Sequence, residues 1–379
     1  PYYLVNALEV RGGALARLFL LTRPEVDRVI PSPRLRPAPA VEALAMSGVA
    51  ESPPSNVQWN VMMIGADKVW SEFGATGEGI VVGQSDSGVD GAHPELAERY
   101  RGNASGDDYN WFDPWNQKPS PYDDGGHGTH TLGTILGKNG IGIAPGATWI
   151  GCVNLNRNLA NPALYLDCMQ FMLAPFPQGG NPFTDGDPTR AADVLNNSWG
   201  CPELEGCDPN ALLYGANHLR DAGIFVVVSA GNDGPSCNTV NAPLSLYDSV
   251  FSVGAIDQFG NMAPFSSRGP VTADGSGRSK PDIVAPGVDI FSSTPGGGYG
   301  FASGTSMAGP HLVGVVALLW SADPSLIGDI DRTEQLIIET AQPYSGDTSS
   351  GCFEGGMPNA AYGYGMVDVY AAVKDLLDK

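Results

Sequence analysis

Four polar side chains in this sequence stand where they could do chemistry together. Ser306 lies in SGTSMAGPH, just ahead of the apolar run LVGVVALLW. A serine hydroxyl is a poor nucleophile until a base takes its proton. His127, in GGHGTH, suits that task because imidazole changes charge near neutral pH. Asp86 closes the apolar run GIVVGQSD. A carboxylate at the end of a buried strand needs a partner, and it can orient an imidazole and stabilise its protonated form. Asn232 ends a second such run, VVVSAGND, and its carboxamide can donate to an oxygen that gains negative charge. Each has a plainer reading alone. Ser306 can cap a helix, which spacing by itself favours. Asp86 fits a turn in DSGVDG, Asn232 suits left-handed backbone, and His127 can open a helix with no further task. His130, three residues after His127, raises a metal alternative, but a zinc site needs a third ligand and the H-E-x-x-H pattern is missing. The joint occurrence of all four, each after a strand or at a helix start, argues for one nucleophilic centre.

Such a centre needs elements that bring distant residues together. GIVVGQSDSG, ATWIGCVNL, ADVLNNSWG, GIFVVVSAGNDG and SVFSVGAID are short, continuous apolar runs, as expected for strands buried on both faces. Helices are expected between them at 127–136, 161–173, 210–222 and 306–320. This alternation predicts an α/β fold with a mostly parallel sheet covered by helices on both faces. Ligands of such sheets bind at the carboxyl ends of the strands, which singles out Asp86, Asn196 to Ser198 and Asn232. The helix starting at Ser306 aims its free N–H groups and positive dipole end at the hydroxyl region. Pro310 is expected in its first turn, where a missing N–H costs little.

The totals bound the rest. At 379 residues the chain accommodates one large domain with an appendage, or two domains. A net charge of −21 with only 20 Lys plus Arg argues against nucleic acid, and solubility is a better reading of the acidity than ligand binding. The apolar runs are too short to span a bilayer, so no membrane insertion is expected. The chain opens PYYLVNALEV without Met or a signal peptide, and reads as a piece of a longer precursor. Six Cys without a CxxC pair fit disulfides in an oxidising, extracellular compartment better than zinc. The first 40 or so residues differ in pattern: YYLVNALEV alternates like a strand, GGALARLFLLTRPEV carries a helical stripe, and DRVIPSPRLRP returns to extended form. Arg recurs there at 11, 17, 23, 28, 34 and 36, and an Ala/Pro/Ser-rich tether follows.

The blocks VVGQSDSGVDGAHPEL, GGHGTHTLGT, VVVSAGNDGP and SGTSMAGPHLVG, in that order, resemble the subtilisin-like serine protease (subtilase) family over about residues 56–378. YNWFDPWNQKPSPYDDGGHGTH and VLNNSWG are most similar to its bacillopeptidase F group. The resemblance implies a subtilisin-like α/β fold and a serine endopeptidase acting on protein and peptide substrates as a monomer. It implies Asp86, His127 and Ser306 as the triad, with Asn232 and the Ser306 N–H as the oxyanion hole. Ser198, Trp199 and Gly200 would pair with substrate backbone, and Ser229, Ala230 and Gly231 would wall the primary pocket. It further implies that residues 1–45 are the C-terminal half of an inhibitory propeptide, the chain's own prosegment, with 46–55 a linker and 56–379 the catalytic domain. A large apolar P1 residue is the family expectation.

No cofactor is required for that chemistry. A structural calcium stays open: GKNGIGIAPGA is shorter than the loop that binds calcium in well-known subtilisins, whereas Asp107, Asp108, Asp113, Asp123 and Asp124 crowd an inserted segment. A solvated acidic rim is the favoured reading of those five, and no metal ligands are assigned. Of fifteen disulfide pairings we adopt Cys201–Cys207, Cys152–Cys168 and Cys237–Cys352. An α/β-hydrolase is rejected because its triad runs Ser, Asp, His, and here the sole His after Ser306 is His311. A sedolisin would carry Glu in place of His127. A non-catalytic binding module would be expected to lack a triad member.

Overall fold

The structure is a computed structural model that describes residues 1–33, 47–50, 52–156, 159–344, 352 and 356–378. The described residues form ten strands: β1 (Ser47–Ala50), β2 (Val81–Asp86), β3 (Trp111–Phe112), β4 (Thr148–Val153), β5 (Val194–Asn197), β6 (Phe225–Ser229), β7 (Phe251–Ile256), β8 (Ile283–Pro286), β9 (Ile290–Thr294) and β10 (Gly298–Ala302). Seven of them make one sheet in the order β3-β4-β2-β5-β6-β7-β8, every pair parallel. Strands β5 to β8 are buried throughout, including Asn196 and Asn197 of β5. β1, β10 and β9 form a separate antiparallel sheet.

The helices are α1 (Ala14–Leu21), the short turns α2 (Trp59–Met63), α3 (Ala66–Lys68) and α4 (Gly102–Ser105), then α5 (His127–Leu136), α6 (Pro162–Leu173), α7 (Leu213–Asp221), α8 (Thr305–Ala322), α9 (Ile330–Thr340) and α10 (Val369–Leu377). α5 and α8 cover one face of the main sheet over a core that includes Val82, Val194, Val227, Leu132, Leu312 and Val316. α6 and α7 cover the other face over a second core that includes Leu195, Val226 and Val228 from the sheet and Tyr165 and Phe171 from α6. The sides alternate along each strand, as the pleat demands. From β2 the chain runs to β3 and β4 on one side, then crosses from β4 to β5 on the other side of β2. β2 therefore lies at the topological switch point, where the loops beyond its carboxyl end part and open a crevice.

Each strand and helix expected around the four polar residues is present within a few residues of its predicted bounds. Three expectations differ. Pro310 is not in the first turn of α8 but inside the helix, which begins at Thr305. Its ring nitrogen lacks a hydrogen, so the Ser306 carbonyl loses its helical partner. The N-terminal segment is not strand-helix-strand. YYLVNALEV makes a tight turn, with Tyr2 and Ala7 exchanging both backbone hydrogen bonds and Asn6 at positive φ. Residues 22–33 form no strand, and Pro24, Pro31 and Pro33 there have no N–H to give a ladder. Residues 34–46, including Arg34 and Arg36 and most of the tether's first half, lie outside the described residues. The strands β8 to β10 and the helices α9 and α10 were not foreseen.

The three adopted disulfides are the three present: Cys152–Cys168, Cys201–Cys207 and Cys237–Cys352, with Cα separations of 5.6, 5.7 and 5.5 Å. The first ties β4 to α6, and the second closes the loop after β5.

Candidate active site

Asp86 ends β2 at the switch point, fully buried. Its Oδ1 accepts from His127 Nδ1 at 2.7 Å and from the Ser87 backbone N–H at 2.7 Å. Oδ2 is buried and has no hydrogen-bond partner. The carboxylate charge is thus only partly compensated until the imidazole becomes protonated. His127 is the first residue of α5 and nearly buried. Burial pulls its pKa down, but the charges of Asp86 and Asp123 and the Asp86 hydrogen bond outweigh it, and the net shift is upward. Since Nδ1 donates to Asp86, the neutral ring carries its lone pair on Nε2. That nitrogen has no partner among the described residues.

What holds His127 in place was not foreseen. Asp123 caps α5 from outside the helix. Its Oδ1 accepts from Gly125 N, Gly126 N and Ser87 Oγ at 2.9, 2.8 and 2.9 Å. Its Oδ2 accepts from Thr129 N and Thr129 Oγ1 at 2.9 and 2.7 Å. Ser87 Oγ accepts in turn from Gly128 N at 3.0 Å. The residue after Asp86 and the turn that carries His127 therefore share one carboxylate. Gly128 lies so close to this loop that a Cβ there would fall 2.0 Å from Gly88 O. An acid just ahead of a helix start is a readable sequence signal, and it was present.

Asp124, by contrast, is exposed and pairs with Lys118 at 3.3 Å. Asp107 accepts from Tyr100 and Ser120 hydroxyls, and Asp108 from Gln178 N. Asp113 accepts from the backbone of Trp115, Asn116 and Lys118 and from the Tyr122 hydroxyl. The five carboxylates thus meet separate sets of donors. Among the described residues no three His, Cys, Asp or Glu side chains converge as metal ligands would, and no cation site is assigned to these five acids.

His130 is fully enclosed, and its Nε2 donates to the carbonyls of Ile290 and Gly300 at 3.1 and 3.2 Å. Burial pushes its pKa down to about 4, so the ring stays neutral and docks α5 on the β9–β10 pair. Gly133 permits that approach: a Cβ there would lie 2.1 Å from Ser293 Oγ.

Ser306 is the second residue of α8 and partly accessible. Its Oγ donates to the Ser198 carbonyl at 3.1 Å rather than to His127. Asn232, exposed after β6, accepts with Oδ1 from Thr305 N and Thr305 Oγ1, both at 2.9 Å. Both bonds turn its Oδ1 toward α8 and leave Nδ2 as the free donor. Gly231 N donates to Thr305 Oγ1 at 3.2 Å, and Ala230 N to Val253 O at 3.0 Å. Ser229 is buried at the end of β6. Ser198, Trp199 and Gly200 follow β5, and Ser198 meets the start of α8 through Ser306. Trp199 keeps its indole beneath the surface, stacked 3.9 Å from the Tyr165 ring and donating to Ser85 O at 3.0 Å. Tyr165 also donates to Gly200 O at 3.2 Å. Asp86 and His127 are in direct contact. Ser198, Ser306, Thr305, Asn232 and Gly231 form a second connected group on the neighbouring strand ends.

This arrangement can hold an imidazole, a serine hydroxyl at a helix N-terminus and a carboxamide donor at the carboxyl ends of neighbouring strands. A profile of the subtilase family matches residues 77–365. Bacillopeptidase F of Bacillus subtilis (strain 168) is 36% identical over an alignment covering 100% of this chain and 26% of that protein. Subtilisin E of the same strain is 30% identical, covering 90% of this chain and 77% of its own length. Serine protease AprX, also of that strain, is 33% identical, covering 67% of this chain and 60% of its own. The chain spans about a quarter of the length of bacillopeptidase F.

Proposed function

The chain belongs to the subtilase family of serine endopeptidases, and on that footing we propose that it hydrolyses peptide bonds through an acyl-enzyme on Ser306. His127 takes the Ser306 proton as Oγ attacks the scissile carbonyl, then returns it to the leaving amine. For this the hydroxyl first leaves the Ser198 carbonyl for His127 Nε2. Asp86 holds the tautomer and stabilises the imidazolium. Asn232 Nδ2, with the Ser306 N–H at the start of α8, donates to the carbonyl oxygen as it gains charge. Water then attacks the acyl-enzyme, with His127 again as base.

The observation that carries this reading is the buried Asp86–His127 hydrogen bond at 2.7 Å, which orients Nε2 as an unpartnered acceptor. Ser198 meets Ser306 and Gly231 meets Thr305 at the start of α8, which supports substrate backbone adding as a strand beside Ser198. Labelling by a fluorophosphonate probe tests the assignment. Wild type should label and Ser306→Ala should not, and an unlabelled, fully processed chain would overturn it.

Residues 1–45 act as the chain's own inhibitory prosegment in this reading, with 46–55 as linker and 56–379 as the catalytic domain. Support comes from contacts of residues 1–33 with the far face of the domain. Leu4 N donates to Gln170 Oε1 at 3.2 Å, His218 Nδ1 to Leu4 O at 2.5 Å, and Asn161 Nδ2 to Pro33 O at 3.1 Å. Arg28 pairs with Asp208 at 3.1 Å. Residues 34–45 lie outside the described residues. Mass spectrometry of the N-terminus in wild type and Ser306→Ala separates self-cleavage from cleavage by another protease. Extracellular, monomeric action on protein substrates completes the proposal, and three disulfides with no free cysteine support the oxidising compartment.

A further inference from the structure

Gln84 breaks the pattern of the strand that carries it. β2 is otherwise apolar or small up to Asp86, and Gln84 is 1% exposed. A primary amide buried there is costly unless its hydrogen bonds are made. They are made, and to two different elements. Nε2 donates to Thr131 Oγ1 at 2.7 Å and to Gly128 O at 3.1 Å, both on α5. Oε1 accepts from Asn196 Nδ2 at 3.2 Å, and Asn196 is its registered neighbour on β5. Asn196 Oδ1 faces Ser198 Oγ at 3.2 Å, and that hydroxyl stands 3.1 Å from Ser306 O. Its one proton is shared between these two acceptors. The Ser306 carbonyl is open to it because Pro310, four residues on, has no N–H to fill it. A polar chain therefore runs from the residue after His127, through β2 and β5, to the residue that bears the nucleophilic hydroxyl.

We infer that Gln84 is a positioning residue for the proposed reaction, its carboxamide fixing the start of α5, and so His127, against the strand end that seats Ser306. The inference rests on the reading of Ser306 as nucleophile. Apolar packing of α5 on α8 is non-directional and tolerates small slides. A satisfied amide network in a low-dielectric interior does not. A displacement of about 1 Å between base and nucleophile can lower the rate by up to about 10²-fold. Gln84, Asn196, Thr131 and Ser198 carry no titrating group in the relevant range, so the network acts through position, not charge.

The test uses Gln84→Met, which keeps the length of the side chain and removes the amide. Fluorophosphonate labelling of wild type, absent in Ser306→Ala, is established first, and its failure sinks the functional reading rather than this inference. With labelling in hand, Gln84→Met is expected to lower kcat about tenfold or more, leave KM within about twofold, and keep the wild-type pH profile. The rate of fluorophosphonate inactivation should fall in parallel with kcat. A wild-type kcat, or a loss residing in KM, overturns the inference. Thr131→Val removes the hydroxyl partner with little change of shape and carries the same test if Gln84→Met does not fold. Where both fold, the double variant should lose less than the product of the single losses, and full additivity overturns the shared network.

Discussion

His127 Nδ1 and Asp86 Oδ1 lie 2.7 Å apart in a pocket that leaves the imidazole 8% exposed and the carboxylate wholly covered. Removing a charge from such a pair is worse than never burying it, because the remaining partner has no water to turn to. Here the carboxylate also selects the tautomer that presents Nε2 to the nucleophile. Asp86→Asn keeps the shape but offers His127 a donor where it needs an acceptor. We expect kcat to fall about 10⁴-fold with the fold retained. Steady-state kinetics on a peptide ester, beside a circular dichroism spectrum, checks this, and activity within a few-fold of wild type contradicts it.

The pH dependence follows from the same pair. Against the effect of burial, Asp86 and Asp123 hold the His127 pKa above its ordinary value of 6.5. A general base must be neutral, so kcat/KM should fall on acidification with a midpoint above 6.5. Stability runs the opposite way. The fold binds this proton more tightly than the unfolded chain does. The resulting stabilisation is complete below the unfolded value near 6.5 and fades as pH rises through the folded value. A pH–rate profile whose acid limb lies below 6.5 contradicts the upward shift of His127.

Much of this site was legible because its residues sit at ends of elements. Asp86 and Asn232 each terminate a run of buried apolar residues, and His127 and Ser306 open helices, so period and punctuation alone place them at one sheet edge. What stayed hidden depends on partners distant in sequence. Gln84 looks like a polar flaw in a strand until Asn196 and Thr131 are beside it. Asp123 looks like one more acid in an acidic loop until Ser87 and Thr129 turn toward it. The alternation in YYLVNALEV was real but did not make a strand, since Leu4 is buried against α6 by a turn that exposes Leu8 and Val10. Periodicity reports which side chains can be buried together; it does not supply the neighbouring strand that a ladder needs.

Asn232 offers a cleaner test of transition-state chemistry. Its Oδ1 is engaged twice by Thr305, so only the amide hydrogens remain for an oxyanion. Asn232→Leu should lower kcat by about 10²- to 10³-fold with little change in KM, since the donor matters once the carbonyl oxygen carries charge. The substitution also takes the shared acceptor from the buried Thr305 N–H and hydroxyl, so the melting temperature should fall modestly with the fold retained. A loss confined to KM would mean that Asn232 contacts the ground-state substrate instead.

Asp123 separates a capping carboxylate from a calcium ligand. Its two oxygens already accept five hydrogen bonds from Ser87, Gly125, Gly126 and Thr129, which leaves little room for a cation. A chelator should therefore leave the melting temperature unchanged, whereas Asp123→Ala should lower stability by about 2 kcal/mol, the upper range for loss of a helix cap. The same substitution removes one of the two charges that raise the His127 pKa, so the acid limb of kcat/KM should move to lower pH. Asp124→Ala, one residue on, loses only an exposed pair with Lys118, and should change stability by less than about 1 kcal/mol. Thermal melts with and without chelator, together with pH–rate profiles of the two variants, decide the matter. A chelator-induced fall in melting temperature that Asp123→Ala abolishes would restore the calcium reading.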